Sequence, residues 1–288
     1  MQSPPMAYIH TTTPFHVFAT HWTIRQLTHF LNDEVNNSIS MATRCEGSAA
    51  EAASQSPAAA IASSLDDGKK HLLLAASGIM IADTLDAAGS VAVIKLPLII
   101  SSFAKYSNLS IRVILTENAA RFLAGQSPEQ PTVASLASLA NVDSVHQDED
   151  EWSQPWVRDS KILHIELRRW AHLLAVVPMS ANLLAKITNG LCDSLLTNVI
   201  RAWDTDPASG KRILVAPSMN TCMWTHPVTA HQLSTLTDAW GVEGANASSG
   251  WYEVLMPQSK TLACGDVGQG AMSDWNHIVS VIRVRLAL

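Results

Sequence analysis

The chain has 288 residues, 47% hydrophobic and 15% charged, with a formal net charge of -6. Such a length and composition fit a soluble globular protein with one well-filled core plus a tail. The acidic balance, with no basic block, argues against nucleic-acid binding, which needs clustered Lys and Arg, and no apolar window is long enough to span a membrane.

Residues 1–70 differ from the rest. Met41 to Ser64 is rich in Ala and Ser and poor in large apolar side chains, too poor to offset the entropy of ordering. The segment therefore reads as a disordered tail, with one short amphipathic helix over Phe15 to Leu31. Asp33, Glu34 and the scarcity of Arg weaken a targeting role for that helix, and no secretory signal is visible at the N-terminus. Met41 offers an alternative start. The four cysteines, at positions 45, 192, 222 and 264, make no C-x-x-C pair. That pattern fits a reducing compartment, the cytosol by default, and gives no disulfide framework or metal site.

The core is expected to begin at His71. His71 to Ala76 is an apolar run ending in Ser77-Gly78, the pattern of a buried parallel strand. A helical pattern follows from Ala87-Ala88-Gly89-Ser90-Val91 through Ile94, Leu98 and Ile99 to Phe103. Ile111 to Leu115 predicts the next strand, which ends at Thr116-Glu117-Asn118 before a helix starting at Ala119. The stretch from Gln126-Ser127-Pro128 to the acidic Asp148-Glu149-Asp150-Glu151 reads as a surface loop. His164 to Ala171 reads as a short helix leading to a strand over Leu173 to Val177. Pro178 to Asn182 then predicts a turn and a capped helix through Ile187, broken at Asn189-Gly190. A further helix spans Ser194 to Trp203, and a polar loop covers Asp204 to Gly210. The strand Arg212 to Ala216 stops at Pro217 and presents Asn220 at its exit. A helix from Thr229 to Ala239, a last strand over Tyr252 to Met256, a Gly-rich loop over Cys264 to Met272 and a final helix from Trp275 to Leu286 complete the chain.

Strands alternating with helices imply a flavodoxin/Rossmann-like α/β fold, an open parallel sheet with helices on both faces. Three strand ends carry small or polar turns, Ser77 with Gly89-Ser90, Thr116 to Asn118, and Ser180 to Asn182. Such turns offer backbone N–H groups to an anion at a helix N-terminus, as in a nucleotide- or flavin-binding domain. No G-x-G-x-x-G is present, which weakens an ordinary dinucleotide site. Three residues stand out chemically. His164 opens a helix and is either a structural cap or a base. Asn220 is either an N-cap or, through its amide donors, the holder of a carboxylate. Cys264 lies among Gly265, Gly268 and Gly270, in a plain turn or in a backbone built to bend over a ligand. His172, His226 and Cys222 read as packing residues.

The blocks H-I-E-L-R-R-W-A from His164, P-M-S-A-N from Pro178, P-S-M-N-T-C-M-W from Pro217 and A-C-G-D-V-G-Q-G-A-M from Ala263 resemble the homo-oligomeric flavin-containing cysteine decarboxylases. The resemblance runs from His71 to about Val284. It implies an FMN enzyme, typically a homotrimer with active sites between subunits, acting on 4′-phosphopantothenoylcysteine to give 4′-phosphopantetheine in coenzyme A biosynthesis. By position, His164 matches the family's catalytic His, Asn220 the Asn that holds the substrate carboxylate, and Cys264 the Cys that supplies a proton. Ala263 to Met272, including Gly265, match the flap over substrate. Contacts to FMN map to Gly89, Ser90 and Val91, to Thr116, Glu117 and Asn118, to Ser180, Ala181, Asn182 and Leu183, and to Met219.

The sequence departs from the family in three places. Residues 79–89 interrupt the turn that runs on directly from Ser77-Gly78 in relatives. Either Ala88-Gly89-Ser90 replaces that turn and the extra residues loop out, or phosphate binding is damaged; a retained intron is a third reading. Glu117 stands where relatives often carry Lys, which lowers charge complementarity to a phosphate. His172 stands where they often carry Asp, and reads as outer support for the site. The rival to the enzyme reading is a regulatory one: some fungal relatives inhibit a protein phosphatase or supply part of a mixed trimer. A peptidyl-cysteine decarboxylase or flavin prenyltransferase is opposed by the Cys-containing flap. His164, Asn220 and Cys264 occurring together favour the enzyme.

Overall fold

The computed structural model of the chain describes residues 56–78, 91–243, 248–261 and 267–288. In chain order it contains helix α1 (Pro57–Ala62), strand β1 (Lys70–Ala76), a 3-10 turn over Val91–Lys95 that runs into α2 (Leu96–Ser102), β2 (Leu109–Leu115) and α3 (Glu117–Arg121). There follow β3 (Ala124–Ser127), β4 (Gln130–Thr132), α4 (Val133–Leu136), β5 (Val142–His146) and a 3-10 turn over Asp148–Trp152. The second half comprises α5 (Leu163–Trp170), β6 (Leu173–Met179), α6 (Ala181–Asn189), α7 (Leu195–Arg201), β7 (Arg212–Pro217), α8 (Thr221–Trp224) and α9 (Pro227–Ser234). A π-helical turn, Thr235–Ala239, precedes β8 (Tyr252–Val254), β9 (Gln258–Thr261), β10 (Val267–Ala271) and α10 (Trp275–Leu286). No helix among the described residues is long and apolar enough to cross a membrane.

The central sheet has six strands in the order β5-β2-β1-β6-β7-β8, each pairing parallel. Ranked along the chain, that is the doubly wound order in which the first strand lies at the centre and the fourth pairs with its other side. The order reverses between β1 and β6, so the crevice outside their carboxyl ends is where such a fold binds ligands.

Period-two alternation decides what each face buries. Leu73 and Ala75 of β1, Leu174 and Val176 of β6, and Ile213 and Val215 of β7 pack in one cluster with Ile61 of α1, Leu167 and Trp170 of α5, and Leu184 of α6. Their neighbours Leu72 and Leu74, Leu173 and Ala175, and Leu214 and Ala216 pack on the other face with Leu96 and Ile99 of α2 and Ile278 and Ile282 of α10. Both faces of β1, β6 and β7 are thus covered, which is why these strands read as continuous apolar runs.

Two boundaries differ from the sequence reading. Order extends upstream of His71, because Ser56 caps α1 (Ala59 N to Ser56 Oγ, 3.2 Å) and Ala58 and Ile61 are buried. One isoleucine on an Ala-rich turn anchors it, and Ser64 accepts a hydrogen bond from Arg112 Nη2 at 3.1 Å. Residues 1–55 lie outside the described residues. The second correction is β5, which the sequence suggested was part of a surface loop. It is an edge strand whose polar residues answer polar residues of β2: Arg112 Nη1 donates to Ser144 Oγ at 2.8 Å, and Ser110 donates to Asp143. Its pairing is hidden in sequence because both partners break the apolar pattern.

Candidate active site at the sheet switch point

Strand β1 delivers Ser77 and Gly78 to the switch point, and each makes a contact only a small residue allows. Ser77 Oγ accepts the Ser180 N–H at 2.9 Å and donates to the Pro178 carbonyl at 3.3 Å. The carboxyl ends of β1 and β6 are thereby clamped together. Gly78 sits against the start of α3. A Cβ there would lie 2.7 Å from the Asn118 carbonyl carbon and 2.9 Å from Ala119 N. Thr116 caps α3 by accepting the Ala119 N–H at 3.3 Å and also accepts the Gly78 N–H at 3.4 Å. Ser180 caps α6 in the same way through Leu183 N at 3.2 Å.

These turns enclose one cavity of about 170 Å³. Its lining includes Ser77, Gly78, Thr116, Glu117, Asn118, Ser180, Asn182 and Leu183, so six of the positions mapped as FMN contacts converge here. Ala181 opens α6 beside them. Lys186 is the one cation among the described lining residues, and it is engaged with Asp193 at 2.7 Å. Glu117 reaches out to Arg121 instead of into an apolar wall. Asp148 also lines the cavity. Burial pushes its carboxyl above the ordinary carboxylate range, against the opposing pull of the Leu195 N–H that it accepts at 2.8 Å.

Asp148 and Glu151 of the acidic run are therefore built into the site, while Glu149 between them is exposed. The last member of the run, Glu151, has a side chain only 2% exposed, and its Oε1 lies 2.8 Å from His164 Nδ1. His164 stands in the first turn of α5, and that helix runs back toward the start of β6, so its N-terminus lies at the carboxyl edge of the sheet. Asp148 on the cavity and Glu151 on His164 belong to one 3-10 turn. Glu151 escaped the sequence reading because a D-E-D-E run is usually a solvated face. The histidine 13 residues on was the available signal.

Asn220 follows β7. Its Oδ1 accepts the Met223 N–H at 2.9 Å, so it does cap α8. That bond fixes which way the amide faces and leaves the Nδ2 hydrogens without an intrahelical role. The turn is tied to β10: Met219 N donates to Gly270 O at 3.0 Å, and Gln269 N donates to Thr221 Oγ1 at 3.1 Å. Gly270, at φ +91, leaves no space for a Cβ, which would approach Met219 O to 2.6 Å. Strand β10 is thus anchored on the Asn220 turn. The Gly-rich loop of the sequence reading is in part this strand, β10.

Other candidates fall differently. Met219 and Met272 are buried in the two core clusters and do not line the cavity. Val91 begins the 3-10 turn ahead of α2. Gly89, Ser90, Ala263, Cys264 and Gly265, with the rest of the 79–89 insertion, lie outside the described residues. Of the two readings of His172, packing holds and outer support for the site is corrected. His172 precedes β6 at the amino edge of the sheet, where its Nδ1 accepts the His71 N–H at 2.9 Å. The length of β1 puts it about 20 Å from the cavity. It supports the His71–Trp170 stack and not the site.

Comparison with known proteins agrees with this fold. The flavoprotein family model matches residues 61–287. A fission-yeast protein named probable thymidylate synthase is 41% identical over 224 residues, 78% of this chain but only 30% of its own length. Mouse phosphopantothenoylcysteine decarboxylase is 40% identical over 199 residues, covering 69% of this chain and 84% of that one. Among solved structures, a cysteine-to-serine mutant of PPC decarboxylase complexed with pantothenoylaminoethenethiol is 36% identical. It has a TM-score of 0.57, with 76% of this chain and all of that one covered. The FMN binding protein AtHal3 is also 36% identical, at a TM-score of 0.56, with 75% and 96% covered. The parallel sheet, the clamped switch point and these matches place the chain in the flavoprotein family.

Proposed function

We propose that this chain is an FMN-dependent decarboxylase that converts 4′-phosphopantothenoylcysteine to 4′-phosphopantetheine, a step of coenzyme A biosynthesis, in the cytosol. The observation that carries the reading is the convergence of three strand-end turns, Ser77–Gly78, Thr116–Asn118 and Ser180–Leu183, on one cavity whose rim turn also holds His164.

The cavity fits the polar part of a flavin nucleotide. Its lining carries the hydroxyls of Ser77, Thr116 and Ser180 and the amides of Asn118 and Asn182 beside the charged Glu117, Asp148, Asp193 and Lys186, and Gly78 lets the end of β1 lie against the Asn118 backbone. Thr116, Asn118, Ser180 and Asn182 would hold the cofactor, with Ala181, Leu183 and the Gly89-Ser90-Val91 turn beside them. Bound FMN would supply a two-electron acceptor and donor, the property that lets a carboxylate on a saturated carbon be lost without net oxidation.

The chain's own residues then have distinct tasks. His164 accepts a proton from the substrate. Asn220 holds the substrate carboxylate through Nδ2, since Oδ1 is committed to Met223 N. Cys264, which lies in sequence between β9 and β10, returns a proton to the product, and β10 is tied to Met219 and Thr221. We further propose a homotrimer. Trp152, the last residue of the turn that holds His164, and Trp156 beyond it are 66% and 55% exposed, which supports burial of this flank against a second copy.

The test is a comparison of wild type with Cys264→Ser, each loaded with FMN. The wild type is expected to make 4′-phosphopantetheine. The variant is expected to release carbon dioxide but stop at a product two hydrogen atoms short of it by mass. Full turnover by Cys264→Ser would remove that residue from the mechanism, and an inactive flavin-loaded wild type would refute the assignment.

A further inference from the structure

We infer that Glu151 is a positioning residue for His164: its buried carboxylate holds the imidazole as the tautomer with hydrogen on Nδ1, leaving Nε2 bare to receive the substrate proton. The inference rests on the reading of His164 as the proton acceptor.

The bond itself fixes the hydrogen. Oε1 of Glu151 and Nδ1 of His164 are 2.8 Å apart. An ionised carboxylate only accepts, so the hydrogen between them belongs to Nδ1. Neutral imidazole carries one N–H, and placing it on Nδ1 assigns the lone pair to Nε2. Burial makes the arrangement strong. The Glu151 side chain is 2% exposed and that of His164 21%, and Glu151 Oε2 is buried with no hydrogen-bond partner among the described residues. Among the described residues the carboxylate therefore bonds through Oε1 alone, and an isolated charge at that depth is costly unless a cation forms beside it. The protonated imidazole is that cation. The same contact orients the base before proton transfer and offsets the charge created by it.

The support is rigid. Residues 148–152 form a 3-10 turn closed by Gln147 N to Asp150 Oδ2 at 2.8 Å. Asp148 of that turn accepts the Leu195 N–H at the start of α7. Glu151 is thus held from the cavity side, and His164 from α5. Glu166, the acidic residue nearest to His164 in sequence, is occupied by Arg169 at 3.0 Å and does not compete for the ring.

The experiment uses full-length protein labelled with ¹⁵N-histidine, with His164→Asn to identify the signal. Long-range ¹H–¹⁵N spectra are expected to show a protonated Nδ1 and a bare Nε2 in wild type, and a shift to the Nε2–H form in Glu151→Ala. Glu151→Gln, which keeps the volume and an accepting oxygen, is expected to retain the Nδ1–H form. In turnover, Glu151→Ala should lose about 10²-fold or more in kcat with KM nearly unchanged, and Glu151→Gln should recover part of the loss. An Nδ1–H form that persists in folded Glu151→Ala would overturn the inference, as would an unchanged kcat. Because the tautomer is read without turnover, an inactive wild type with the expected spectra would count against the decarboxylase assignment and not against this contact.

Discussion

Gly78→Ala tests the cradle at the switch point. The added Cβ would sit 2.7 Å from the Asn118 carbonyl carbon, 2.8 Å from its oxygen and 2.9 Å from Ala119 N. Comfortable separations begin near 3.5 Å, so backbone must move by roughly 0.7 Å or more. Neither side yields freely. Asn118 and Ala119 lie in the first turn of α3, which Thr116 caps, and β1 is hydrogen-bonded between β2 and β6. Overpacking of this kind costs about 1–3 kcal/mol, and in a domain of this size each kcal/mol lowers Tm by roughly 2–4 °C. If the turn relieves the clash by opening, FMN has to close it again. The same energy then appears as about a 5- to 150-fold weaker Kd. Quenching of flavin fluorescence gives Kd, and thermal melts with and without FMN give the stability change. A variant that melts with wild type and binds FMN within about twofold of it would refute the cradle argument.

Two further outcomes follow from the same structure. Asn220→Asp keeps the cap, since Asp serves that position as well as Asn, but replaces the Nδ2 donors with a charge that repels a carboxylate. Its melting temperature should be unchanged while KM for 4′-phosphopantothenoylcysteine rises about tenfold or more; an unchanged KM would reduce Asn220 to a cap. His146 is nearly buried, and burial depresses it from 6.5 to about 4, against a smaller opposing pull from Asp150. The unfolded chain therefore takes up the proton first as pH falls. Stability is full above about pH 6.5 and is lost as pH falls toward 4, by about 3 kcal/mol in all. Urea midpoints of wild type at pH 7 and pH 4.5 should differ by more than those of His146→Gln, and equal slopes would contradict the account.

The strands covered on both faces were legible because burial on two sides leaves an uninterrupted apolar run. Leu72, Leu73 and Leu74 point alternately into the two clusters, and all three are apolar. Edge strand β5 was not legible, since Asp143, Ser144 and His146 satisfy one another and β2 through hydrogen bonds. The turn residues around the cavity were legible because caps need hydroxyls at fixed places: Thr116 and Ser180 each accept the N–H three residues on. Glu151 was hidden for the opposite reason. Its partner lies across a turn and a 13-residue span, and nothing local distinguishes a buried carboxylate from a solvated one. Asn220 shows that two readings of one residue need not compete, because its oxygen caps α8 while its nitrogen stays available.

The most direct test of the decarboxylase assignment is release of labelled carbon dioxide from 4′-phosphopantothenoylcysteine carrying ¹³C in its cysteinyl carboxylate. The account predicts that FMN-loaded protein releases one ¹³CO₂ for each 4′-phosphopantetheine formed, and that flavin-free protein releases none. No ¹³CO₂ from folded, FMN-loaded protein would contradict it.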